Sequence, residues 1–114
     1  MRDFIKVMKA LSDKNRVKII KMLQFKELCV CEIKAGLSIA QPTVSKHLKV
    51  LEDAGLVSYR KDGTWVNYFL CVGSSNPYAA ELLKNLRSWM DNDPEVVSIL
   101  EKLPGIDREI VCNQ

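Results

Sequence analysis

Apolar residues recur at helical spacing along most of this chain and switch once to a strand-like pattern. Phe4, Ile5, Met8 and Leu11 give residues 2–11 a single apolar stripe. Ser12 and Asp13 are capping types, and a second helix is predicted through about Gln24, with Val17, Ile20 and Leu23 inward. A third, short helix is predicted from Cys29 to Ala35, stopping at Gly36. Pro42 suits the first turn of a fourth, which buries Val44, Leu48 and Leu51 and ends near Ala54 and Gly55. Two β-rich runs, Leu56 to Lys61 and Thr64 to Cys71, then flank Asp62-Gly63, a strong hairpin signal. Helical spacing returns from Tyr78 to about Met90, with Leu82, Leu83, Leu86, Trp89 and Met90 apolar. Pro94 and Pro104 bracket a last short helix, and the tail from about 105 to 114 is expected to be mobile.

A short helix, a turn, a longer helix and a hairpin make a winged helix-turn-helix. The expected fold is therefore mainly α with a small β-hairpin, in one domain spanning 1–114. The helix-turn-helix lies at about 29–54 and the wing at about 56–71. The helices at about 2–11 and 78–90 carry more apolar surface than a small core absorbs. Together they are expected to form a homodimer interface.

Composition narrows the function. With 114 residues, 47% of them hydrophobic, the chain supports a single core. No apolar run approaches the roughly 18–20 residues that cross a bilayer. The N-terminus intersperses Arg2, Asp3, Lys6 and Lys9 with apolar residues, unlike a signal peptide. A cytoplasmic chain with no membrane partner is expected, its four cysteines reduced rather than paired. The net charge of +3 is uneven: residues 1–70 hold thirteen Lys and Arg against seven Asp and Glu, and the remainder is acidic. That basic excess suits phosphate attraction. No acid–base pair, phosphate loop or nucleophile triad appears, so no enzyme is expected.

With Val44, Leu48 and Leu51 inward, Thr43, Ser45, Lys46 and Lys49 turn outward or to the flank. Recognition helices enter the major groove of double-stranded DNA by their N-terminal end, which places Gln41 and Thr43 near base edges. Lys46 and Lys49, with Arg60 and Lys61 at the wing tip, suit phosphates. His47, the single histidine, either touches a phosphate or packs against the wing.

Cys29-Val30-Cys31 lies about ten residues before this helix. Thiolates are natural ligands for a soft ion, and a soft-ion site in a reading head suggests a ligand-controlled repressor. On a regular helix, however, the two sulfurs would point roughly 200° apart. Either the motif lies outside regular helix, or binding unwinds the helix start and so supplies the switch. Cys29 to Glu32 has capping-box spacing, with Cys where Ser or Thr would stand. A sulfur at that position faces the positive helix end, which lowers its pKa. Cys71 is expected to be a small buried hydrophobe, too far to join. The third ligand stays open between Cys112, on a tail that can reach the motif of either subunit, and a solvent or small-thiol group.

Glu27-Leu28-Cys29-Val30-Cys31-Glu32-Ile33 resembles the ELCVCDL sensor motif of the ArsR/SmtB winged-helix repressors, in their arsenical-resistance branch. Gln41-Pro42-Thr43-Val44-Ser45-Lys46-His47-Leu48 resembles the recognition helix of that family. Leu51 to Val57 and Arg60 to Val66 are similar to its approach to the wing. The resemblance implies a dimeric repressor that needs no cofactor and leaves its operator DNA when trivalent arsenic or antimony binds Cys29 and Cys31. Two positions depart from the pattern. Lys34 stands where a third cysteine is frequent, which opens the coordination number. Ala40 stands where a capping serine is common, leaving that cap to Gln41 or water. Cadmium, lead or an oxidant at the same thiols are the competing inducers. A thiol oxidoreductase, or a winged helix that binds only protein, is more remote.

Overall fold

The centre of the core is laid down by α2 (Lys14–Phe25), whose start is fixed by Asp13. The Asp13 carboxylate accepts from the backbone N–H groups of Asn15 and Arg16 at 2.8 and 3.2 Å, as an N-cap requires. Ile19, Ile20, Met22 and Leu23 of this helix are buried. The computed structural model describes residues 1–112. Around α2 it packs α1 (Arg2–Ala10), α3 (Val30–Leu37), α4 (Gln41–Asp53), α5 (Pro77–Leu86) and α6 (Pro94–Lys102). A 3-10 turn (Leu103–Gly105) and a short α7 (Arg108–Val111) follow. The hairpin pairs β1 (Val57–Asp62) antiparallel with β2 (Trp65–Leu70), and Asp62 opposite Trp65 closes it. This is the expected winged helix-turn-helix. Val44, Leu48 and Leu51 of α4 are all buried. At about 1.5–3 kcal/mol per side chain, they hold the rotation of that helix, and hence its outer face, with about 5–9 kcal/mol.

Three boundaries differ from the sequence expectation, each for a packing reason. Gly36 does not end α3. It lies inside the helix, where a Cβ would stand 2.6 Å from Met22 Cε, so its bare backbone seats α3 on α2. The helix ends at Ser38, whose φ of 57° is left-handed, and Lys102 Nζ donates to Gly36 O and Ser38 Oγ at 3.2 and 3.1 Å.

The fifth helix stops at Leu86 rather than near Met90. The Lys21 ammonium, on a side chain 1% exposed, donates to Leu86 O, Trp89 O and Asp91 Oδ1 at 2.8, 3.0 and 2.8 Å. It draws the carbonyls out of the helical path, and Met90 takes a φ of 64°. Leu83 and Leu86 turn into the core, while Phe4, Ile5 and Tyr78 remain exposed. The Phe4 ring meets Tyr78 edge-on at 5.3 Å between centroids.

The expected mobile tail is instead placed. Ile106 packs on the core, and α7 lies against α3, so Cys112 comes to rest beside Cys29 and Cys31. Asn113 and Gln114, which that expectation also included, lie outside the described residues.

The Lys21→Met substitution keeps the buried stem and orphans two carbonyls. It should cost about 2–4 kcal/mol, seen as a lower urea midpoint with an unchanged slope.

Candidate thiol site and nucleic-acid interface

Cys29 is the N-cap of α3, in extended conformation at φ −86° and ψ 169°. The motif therefore straddles the helix boundary, which is the first of the two alternatives its spacing left open. Cys29 has left the helical path while Cys31 is already on it, so their sulfurs can converge without unwinding. Together with Cys112 they form a group whose sulfurs all lie within 4.8 Å of one another. Cys29 Sγ and Cys112 Sγ are 3.7 Å apart, and both thiols are free. Cys29 is buried, and Cys31 and Cys112 are half-buried. Cys71 is also half-buried, less enclosed than expected, and stands outside the group.

A capping box holds this geometry. Glu32 Oε1 accepts from the Cys29 N–H at 2.9 Å, and the Cys29 sulfur faces the Glu32 N–H in return. Sulfur is a weak acceptor, so the carboxylate half dominates. Glu32 is 2% exposed, yet its charge is met by Arg108 Nη2 at 2.9 Å and by Lys26 at 3.9 Å. One residue before Cys29, Leu28 pairs with Tyr68 of β2. Leu28 N donates to Tyr68 O at 3.3 Å, and Tyr68 N donates to Leu28 O at 2.8 Å. The thiol loop is thus part of the wing's hydrogen-bond ladder.

The expectation of a lowered thiol pKa at the cap is overturned. Burial pushes the Cys29 thiol up, and although the Glu32 N–H opposes this, the nearby Glu32 carboxylate adds to the rise. Burial likewise raises Cys112, helped by its hydrogen bonds to Cys31 and Cys29. At this cap the cost of burying a thiolate outweighs the favourable helix end.

The donor set is sulfur alone, which suits a soft ion. With bonds of about 2.3 Å and tetrahedral angles, three thiolates on one ion stand about 3.8 Å apart. The group needs a contraction of no more than about an ångström, within the reach of side-chain rotation. A cleft of about 350 Å³ opens beside it, lined by the three cysteines with Val30, Thr64, Trp65 and Val66.

On α4, Gln41, Thr43, Ser45, Lys46 and Lys49 are all exposed, and Lys49 pairs with Asp53 at 3.2 Å. His47 is set apart from them. Its side chain is 12% exposed, with Nδ1 facing Arg16 Nη1 at 3.2 Å and Nε2 lying 4.0 Å from Asp13. It packs on the start of α2 rather than on the wing. In the hairpin, Lys61 is exposed. Arg60 pairs with Glu27 and stacks over Phe69, its Cζ 5.2 Å from the ring centroid.

Sequence reasoning missed Asn67, Trp65 and Arg108 at the thiol site. A faint signal existed for two of them. Asn67 interrupts an apolar strand, and Arg108 lies one helical turn before Cys112.

Comparison with known proteins follows the same lines. The profile of the family described as "Bacterial regulatory protein, arsR family" matches residues 13–59. The arsenical resistance operon repressor of Escherichia coli (strain K12) is 42% identical over 100 residues, covering 87% of this chain and 83% of that protein. A homolog of the cadmium resistance transcriptional regulatory protein CadC from Staphylococcus aureus is 45% identical over 69 residues, 60% of this chain and 57% of that protein. Among solved structures, a homodimeric winged helix-turn-helix DNA-binding domain from Mycobacterium bovis, a possible ArsR-family transcriptional regulator, superposes with a TM-score of 0.65 at 26% identity. It covers 80% of this chain and 81% of that one.

Serine at an N-cap accepts better than sulfur, so Cys29→Ser should keep α3 and change stability by less than about 1 kcal/mol. Glu32→Ala strands the Arg108 charge and the Cys29 N–H, and should cost about 2–3 kcal/mol. Urea unfolding followed by circular dichroism distinguishes the two.

Proposed function

This chain belongs to the ArsR family of bacterial regulatory proteins, and from that premise we propose a homodimeric repressor that releases operator DNA on capturing trivalent arsenic or antimony. It is a regulator rather than an enzyme, and its setting is the cytoplasm. The observation that carries the proposal is the convergence of Cys29, Cys31 and Cys112, all within 4.8 Å and with no oxygen or nitrogen donor among them.

Arsenous acid fits thiols that stay protonated. Three S–H and three As–O bonds break, three As–S bonds form and three waters leave, with no net proton released and no change of oxidation state. A divalent cation such as cadmium must instead expel the thiol protons into solvent. Burial raises the Cys29 and Cys112 thiols, which favours the first chemistry.

Gln41, Thr43 and Ser45 meet base edges, and Lys46, Lys49 and Lys61 meet phosphates. Arg60, tied to Glu27, joins the backbone contacts at the wing, and His47 sets the seat of α4 on α2. Phe4, Ile5 and Tyr78 form the centre of the dimer face, so that two α4 helices reach successive major grooves. Drawing the three sulfurs together moves the Cys29 cap. That cap is bonded through Leu28 to the wing and begins the helix that supports α4. The ligand weakens DNA binding only in so far as it prefers this displaced arrangement, by about 1–3 kcal/mol for a coupling of about 5–150-fold.

The test is binding to the DNA upstream of the chain's own gene, in excess non-chelating reductant, with and without arsenite. The wild type should lose affinity by about 5–150-fold, while a Cys29→Ser/Cys31→Ser double variant stays bound. DNA binding that ignores arsenite removes the inducer but leaves the DNA-binding reading standing.

Proton balance separates the metals. Arsenite affinity should stay nearly flat from about pH 6 to about pH 8, whereas cadmium affinity should climb with pH. In a calorimetric titration, cadmium affinity that is flat, with arsenite affinity that falls as pH rises, would mean the thiols are already ionised and would overturn this proton balance.

A further inference from the structure

The short helix α7 has four residues, none of them buried. A helix of that length does not stand by itself, and with Ile110 60% exposed and Val111 only half-buried, its apolar contact with α3 is slight. Arg108 adds a polar hold. Its Nη2 donates to Glu32 Oε1 and to Asn67 Oδ1, both at 2.9 Å. Its Cζ lies 4.7 Å from the centroid of the Trp65 ring.

The acceptors are themselves rigid. Glu32 Oε1 already holds the Cys29 N–H. Asn67 is 8% exposed, in the strand whose next residue pairs with Leu28. One guanidinium therefore ties α7 to the cap of the thiol loop and to the wing together. Only a planar, multiply donating cation can stack on an indole and reach two oxygens at once.

One turn later, the Cys112 N–H donates to Arg108 O at 3.0 Å, which sets Cys112 on the Arg108 side of α7 with its sulfur 3.7 Å from that of Cys29. We propose that Arg108 is the positioning residue of the third thiol, clamping α7 between Glu32 and the wing so that Cys112 is delivered to Cys29 and Cys31 from within the same chain. The clamp makes the third bond intramolecular, and its effective concentration is set by α7 rather than by a free tail. It also stations the third ligand against Asn67 and Trp65, so a pull on Cys112 is felt by the wing. This role rests on the three-thiol reading above, though the clamp itself can be tested without arsenic.

Two measurements on the full-length chain decide it. In the metal-free protein, Arg108→Gln should speed alkylation of Cys112 by about 10-fold or more relative to Cys71, by loss of a local contact worth about 1.4 kcal/mol. An unchanged ratio overturns the clamp whatever arsenite does. In direct titration with arsenite, Arg108→Gln should lower affinity about 10–100-fold, the usual cost of removing an outer partner of a ligand. X-ray absorption should show sulfur coordination falling from three to two. Arg108→Lys, which keeps the charge on Glu32 but not the stack, should lie between, and serves if the Gln variant folds poorly.

On a Cys112→Ser background the Arg108 substitution should have no further effect. An equal loss on that background would mean a general structural role and would sink the proposal. If the wild type itself binds arsenite through fewer than three sulfurs, the three-thiol reading fails, and the alkylation ratio alone then judges the clamp.

Discussion

A carboxylate buried to 2% exposure, that of Glu32, has to be paired where it lies, because a lone buried charge costs several kcal/mol. The partners it recruits organise the functional half of the molecule. The Cys29 N–H is one, and it places the extended residue that opens α3. Arg108 is another, and it draws the C-terminal segment across the hairpin. Lys26, at the end of α2, is the third. Thiol loop, wing and C-terminal helix therefore share a single electrostatic centre.

Beside that centre Cys29 and Cys112 gain their geometry and lose acidity. Burial disfavours the Cys29 thiolate, and the carboxylate that fixes Cys29 disfavours it further. Such a site is poor for a group that must act as a thiolate nucleophile. The proposed ligand brings its own hydroxides and would itself accept the thiol protons. The same pairing explains how a small contraction can matter: Leu28 and Tyr68 exchange two backbone hydrogen bonds, so the cap cannot shift without moving a strand of the wing. Cys29 and Cys31 come together with no helix unwinding, the other arrangement their spacing had allowed.

Much of the fold was legible in residue order because it follows from local rules. Asp13 caps α2, Pro42 opens α4, and Gly63 at φ 64° occupies the hairpin loop. The errors came where a distant side chain decides a local matter. Lys21 ends α5 four residues early from sixty-five residues away. Lys102 and the seat of Met22 carry α3 past Gly36. Residue order left His47 between a phosphate and the wing, whereas Arg16 and Asp13 hold it on α2.

The sequence by itself determined the winged helix, the exposed polar face of α4 and the pair of thiols at a helix start, since these depend on periodicity, capping chemistry and short-range spacing. Only the tertiary structure decided which third sulfur joins them and whether the cap sulfur is acidic. Those depend on burial and on contacts between residues up to 83 apart in sequence. Arg108 carries the difference: by sequence a surface charge near the C-terminus, in the folded chain the bond between the buried Glu32 and the wing. A charge acquires that role only when folding has set its partners in place and removed the water that would otherwise have served them.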